Sequence, residues 1–146
     1  MIGHAVLAGT AGAGVMTIYV YLLAWLANRN WQVVHILSAV LSRRPLTDRK
    51  LYHTPLAVAT FLHFFIGVLF AIIYCKLLAA GVTGINLHSA IVYGVLAGLL
   101  AMLIWWLTFI VRYQPPGVPR SSYLLVIGSS HVLFSVVMVL VMEWLS

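Results

Sequence analysis

The sequence predicts an all-α membrane protein: one transmembrane domain over residues 1–146, a four-transmembrane-helix bundle with a short interfacial helix after the first span. Three observations predict it. The chain is 64% hydrophobic and 7% charged, against roughly 25% charged residues in a soluble domain, so it has too few charges to cover a surface in water. Four apolar segments, about 3–27, 54–80, 86–111 and 122–145, each exceed the ~20 residues that cross a bilayer as a helix. None is broken by an internal proline, and a helix is the one open segment that pairs all of its own backbone in lipid.

The elements follow in order. The start, MIGHAVLAGTAGAG, has no basic n-region, so the first segment is read as a retained span and not as a cleaved signal. Residues 28–53 carry Arg29, Arg43, Arg44, Arg49 and Lys50 against a single acid, Asp48. Within this connection NWQVVHILSAVLS places Gln32, His35, Ser38 and Ser42 at helical spacing. This predicts a helix over about 31–42, too short to span, with Asn30 as its N-cap and Trp31 as an interfacial anchor. A re-entrant piece dipping into the bundle is the alternative. RRPLTDRK then reads as an exposed basic turn, and Thr54 and Pro55 as the start of the second span. AGVTGI is a tight, uncharged turn, whereas RYQPPGVPRS is stiffened by Pro115, Pro116 and Pro119.

Seven of the eight Lys/Arg fall on the side of the two long connections, with Lys76 alone on the other. The positive-inside rule then predicts cytoplasmic connections and periplasmic termini. The net charge of +6 needs no nucleic acid to explain it; the expected partners are the lipid bilayer and either other membrane subunits or a second copy of the chain. Trp25, Trp105, Trp106, Tyr113, Tyr123 and Trp144 lie near predicted helix ends and fit an aromatic belt. Cys75, the only cysteine, excludes an internal disulfide and any Cys-based metal motif.

Small residues mark where membrane helices meet, because lipid gives helices little hydrophobic reason to associate. The first span has Ala5, Gly9 and Ala13 in one row, with Gly12 and Gly14 nearby; the third has Ala90, Gly94 and Gly98. In the second, His63, Gly67 and Ala71 are spaced four apart, and in the fourth Gly128, His131 and Ser135 are spaced three and four. Both mid-span histidines therefore share a small-residue stripe and are predicted to face the bundle interior. His63 lies nine residues after Thr54 and His131 nine after Ser122, so both sit about 14 Å in from the basic end.

Two readings of this pair stand side by side. In the plainer one, each imidazole hydrogen-bonds a neighbouring helix, with Ser129, Ser130, Ser135, Tyr93 and Thr108 as candidate partners. In the sharper one, intramembrane ionisable residues mark function. His63 and His131 then ligate a b-type haem, with Gly67 and Gly128 giving the macrocycle room, or they take a proton or quinone role. His4 and His88 form a weaker candidate pair near the opposite face. His35 and His53 read as interfacial polar residues. The chain has no HExxH, no Ser/His/Asp cluster and no Gly-rich phosphate loop. Asp48 and Glu143 lie at opposite ends of the predicted bundle, so no carboxylate pair is available for catalysis.

GTAGAGVMT in the first span, FLHFFIGVLFAIIY in the second and YGVLAGL in the third resemble the YagU-like group of small bacterial four-helix membrane proteins. His63, Phe64 and Gly67 carry the best match. The resemblance implies a bacterial inner-membrane protein of unassigned activity and transfers no catalytic residue. The expectation from all of this is a non-catalytic membrane subunit or scaffold without a cofactor. It would dock by its glycine faces (Gly9, Ala13, Gly67, Ala71, Gly94, Gly98, Gly128 and Ser135) onto a larger, respiratory or electron-transfer assembly. A small haem-binding or quinone-interacting redox protein is the first alternative, and a small oligomeric permease the second.

Overall fold

The computed structural model describes residues 2–146, the Tyr52 side chain aside, and its regular structure is helical throughout. The helices are α1 (Ile2–Leu26), α2 (Val33–Ser42), α3 (Thr54–Ala79), α4 (Leu87–Val111) and α5 (Arg120–Leu145), with one 3-10 turn at Arg49–Tyr52. All but α2 are long and apolar enough to cross a membrane.

Local chemistry sets the ends. Pro55 sits in the first turn of α3, where its missing N–H costs no hydrogen bond. Gly81 follows that helix with φ of 72°, which a glycine adopts without penalty. The Asn86 side chain caps α4 by accepting from the Ser89 N–H at 2.9 Å. Asn30 does not cap α2. The chain first wraps the end of α1, with Asn28 at φ of 50° and the Arg29 N–H on the Ala24 carbonyl, so α2 begins only after Gln32.

The spans pack in the order α3, α1, α5, α4, each antiparallel to its neighbour. Three glycine seams hold them. A Cβ on Gly9 would lie 2.7 Å from the Val68 Cα and 2.8 Å from the Gly67 carbonyl oxygen, so α1 and α3 meet backbone to backbone. A Cβ on Gly12 would lie 2.8 Å from Phe134, fixing α1 on α5. On α4, a Cβ on Gly94 would lie 2.6 Å from the Val132 Cα, and one on Gly98 would collide with the Gly128 carbonyl of α5. The stripes expected to receive another subunit are thus filled from within the chain. Gly14, by contrast, has only Phe64 at 4.0 Å.

α3 and α4 close the ring differently. They are joined through side chains near their hairpin. The Tyr93 hydroxyl donates to the Phe70 carbonyl at 2.7 Å, and the Tyr74 and Tyr93 rings meet edge to face. The Tyr74 hydroxyl donates to the Gly84 carbonyl in the connecting turn.

α2 is packed closely against the rest of the protein. No residue from 31 to 42 is exposed, and Ser38 is fully buried and donates to the Leu51 carbonyl at 3.5 Å. Trp31 is half-buried with its indole N–H enclosed and unpartnered among the described residues. Two contacts tie α2 to the spans: the Tyr21 hydroxyl meets His35 Nδ1 at 2.9 Å, and Arg112 donates to the Val40 and Leu41 carbonyls. Arg112 thereby satisfies carbonyls that the end of α2 leaves open.

Candidate functional site

Where α3 and α4 part, a cavity of about 180 Å³ opens in the half of the bundle nearer the basic connections. Met16 and Phe134 line it from the central helices, and Val33 and Leu37 of α2 form its floor. Ile66 and Ile104 line it and are also 46% and 52% exposed, so its mouth lies between α3 and α4 on the outer, lipid-facing flank.

Both mid-span histidines line this one cavity. His63 reaches α1: its Nε2 is 2.9 Å from Thr17 Oγ1. The Thr17 hydroxyl proton already goes to the Ala13 carbonyl at 2.7 Å, so Nε2 carries the hydrogen and Oγ1 accepts it. His131 turns back along its own helix, its Nδ1 donating to the Ile127 carbonyl at 2.8 Å. It is 9% exposed and packs against the rings of Phe70 and Phe134. A neutral imidazole with one nitrogen protonated offers a lone pair on the other. The His63 ring also bonds the Ala13 backbone, beside Thr17. The acceptor nitrogens left are therefore Nδ1 of His63 and Nε2 of His131.

None of the expected hydrogen-bond partners serves the pair. Ser129, Ser130 and Thr108 each bond a carbonyl of their own helix, Tyr93 bonds Phe70, and Ser135 Oγ is buried and unpartnered among the described residues. The actual partner, Thr17, continues the row Gly9, Ala13 by four residues, and that spacing was the signal for it. Tyr123 is a core residue, and Trp105 is partly buried and packed against that core. Tyr123 is fully buried with its hydroxyl enclosed, and its ring meets Trp105, which lines the cavity. Trp25 and Trp144, at 76% and 83% exposed, remain at the surface as a belt requires.

A haem does not fit this geometry. A dry apolar cavity of about 150 Å³ holds a benzene ring, so this one accommodates a single substituted ring and not a porphyrin. The two glycines expected to make room are at helix contacts. A Cβ on Gly67 would meet Ala13 at 2.9 Å, and one on Gly128 would meet the Met102 side chain. The second histidine pair is not assembled either. His4 and His88 are both exposed, on α1 and α4, which α5 separates. No group of three or more His, Cys, Asp and Glu comes together among the described residues.

The floor carries the electrostatics outside the spans. Burial pushes the His35 imidazole below its ordinary value, so it sits neutral against Tyr21. Asp48 is held below the usual carboxylate range by the Lys50 backbone N–H and then by Arg44, whose guanidinium lies 2.8 Å away. His53, between the 3-10 turn and α3, is exposed and makes no side-chain cap. No protein-family model, curated protein or solved structure matches the chain.

Proposed function

We propose that the protein is a non-catalytic binding protein of the bacterial inner membrane, both termini periplasmic, that takes up a small lipid-soluble ring compound of the quinone class. One observation carries the reading: two imidazoles, each with one nitrogen uncommitted, line a single ring-sized apolar cavity whose mouth faces lipid. Small-molecule sites are built this way, with apolar walls and a few polar groups that fix orientation. The orientation follows from the basic connections gathered at one end. The YagU-like resemblance agrees with this location and assigns no activity. Docking onto a larger assembly has less support, because the glycine faces it relied on are filled by the protein's own helices.

The test is what the protein carries. Native mass spectrometry of the full chain, extracted directly into nanodiscs, is expected to show one small molecule per chain, released on unfolding. Ala101 lines the cavity, and Ala101→Leu places three more carbons there. That variant is expected to fold and to lose the bound molecule. Wild-type protein that emerges empty from native membranes and also takes up no added aromatic probe would sink the reading.

A further inference from the structure

We infer that the cavity prefers hydroxylated rings, the hydroquinone form of a quinone-class ligand over its oxidised form; this rests on the binding reading above. The argument is a count of donors and acceptors. His63 gives its Nε2–H to Thr17 and His131 gives its Nδ1–H to Ile127. Each imidazole is then left with an acceptor nitrogen and no N–H to offer a ligand. Thr108, the remaining hydroxyl in the lining, donates to the Ile104 carbonyl. Trp105 is the one lining side chain whose N–H is unassigned among the described residues.

The lining thus holds two free imidazole lone pairs and at most one free donor. A quinone brings carbonyl oxygens only, which accept. It could satisfy Trp105 but would leave its other oxygen and both imidazoles unpaired in an apolar site, and unpaired buried groups are expensive. A hydroquinone brings two O–H groups, each able to donate to an imidazole, while one of its oxygens still accepts from the indole. The size agrees, since both forms are one substituted ring. Discrimination against a ligand that cannot supply a hydrogen bond the site demands is also stronger than discrimination by shape alone. The inference concerns binding, and no electron transfer is required by it.

The measurement is equilibrium dialysis of nanodiscs holding the full chain against empty nanodiscs, which removes simple partition into lipid. The probes are tetramethylhydroquinone, kept reduced under nitrogen, and tetramethylbenzoquinone, whose methyl groups block addition to the Cys75 thiol. The hydroquinone is expected to bind at least about tenfold more tightly, the scale of one or two buried hydrogen bonds. His63→Leu and His131→Leu are each expected to shrink that ratio. Should either variant fail to fold, the wild-type ratio stands alone, supported by ¹⁵N NMR of the ring nitrogens. That spectrum is expected to show His63 protonated at Nε2 and His131 at Nδ1, and the opposite tautomer on either would overturn the inference. Equal or reversed affinities overturn it while leaving binding by the cavity intact. Binding of neither form above empty nanodiscs overturns both.

Discussion

The α4–α5 seam and the α3–α4 flank use opposite means to hold two antiparallel spans together. Along the seam, Gly94 and Gly98 press against the α5 backbone, and a single added methyl has nowhere to go. On the flank the two backbones come together little. Tyr93, Tyr74 and Phe70 bridge the hairpin end, and beyond them the helices part around the cavity. The seam is tight because glycine removes the side chains between helices; the flank stays open because aromatic rings prop it at one end and α2 seals the other. One sequence thus builds close backbone seams along α3–α1–α5–α4 and one open side, between α3 and α4, that holds the cavity.

The comparison breaks most readily at the seam. Gly98→Ala is expected to cost about 1–3 kcal/mol, because backbone and not a flexible side chain must move aside, and Gly98→Ile more than that. Gly14→Ala, facing only Phe64 at 4.0 Å, is expected to leave stability unchanged. Reversible unfolding in mixed micelles against SDS measures both, and equal costs at the two positions would erase the distinction between seam and surface.

Tyr123 sharpens the comparison from the core. Its hydroxyl is enclosed without a partner among the described residues, while its ring is packed by Trp105 and Phe109. Tyr123→Phe keeps the packing and removes the buried polar atom, so the same unfolding assay is expected to show a gain of about 1 kcal/mol. A loss of that size would mean that the hydroxyl has a partner.

The smallest expected effect is acid sensitivity of the floor. Burial lowers the folded-state value of His35 below the ordinary imidazole value of about 6.5. Between the two values the unfolded state binds more protons, so this contribution to stability is lost progressively as pH falls below about 6.5 and is fully lost below the folded-state value. Amide exchange over Val33–Ser42, corrected for intrinsic rate, is expected to quicken from pH 7.5 to 5.5 while the α4–α5 seam stays protected. Equal loss at both would show that floor and seam open as one unit.

Much of this architecture was legible in the residues. The four spans start and stop within two residues of expectation, because Pro55, Asn86 and the connection prolines punctuate unbroken apolar runs. The inward turn of His63 and His131 was legible from Gly67, Ala71, Gly128 and Ser135 on the same stripes. Their surroundings were not. A stripe says which side of a helix is small but not which helix meets it, so Gly9 and Gly98 read as docking faces until Gly67 and Gly128 were found opposite. The helical spacing of Ser38 and His35 placed α2 but did not say what their side chains meet; their hydrogen bonds run to Leu51 and Tyr21. The burial of Tyr123 against Trp105 was not legible, because closeness to a helix end in sequence does not say what packs over it.

The closed floor and the lateral mouth between Ile66 and Ile104 also fix how occupancy would be counted. A ligand entering from the flank arrives from a two-dimensional solvent. Its effective concentration is its mole fraction among lipids, not its molarity in water. A scarce but membrane-concentrated compound could then saturate the site at modest intrinsic affinity, and diluting the protein with extra lipid would empty it as surely as any competitor.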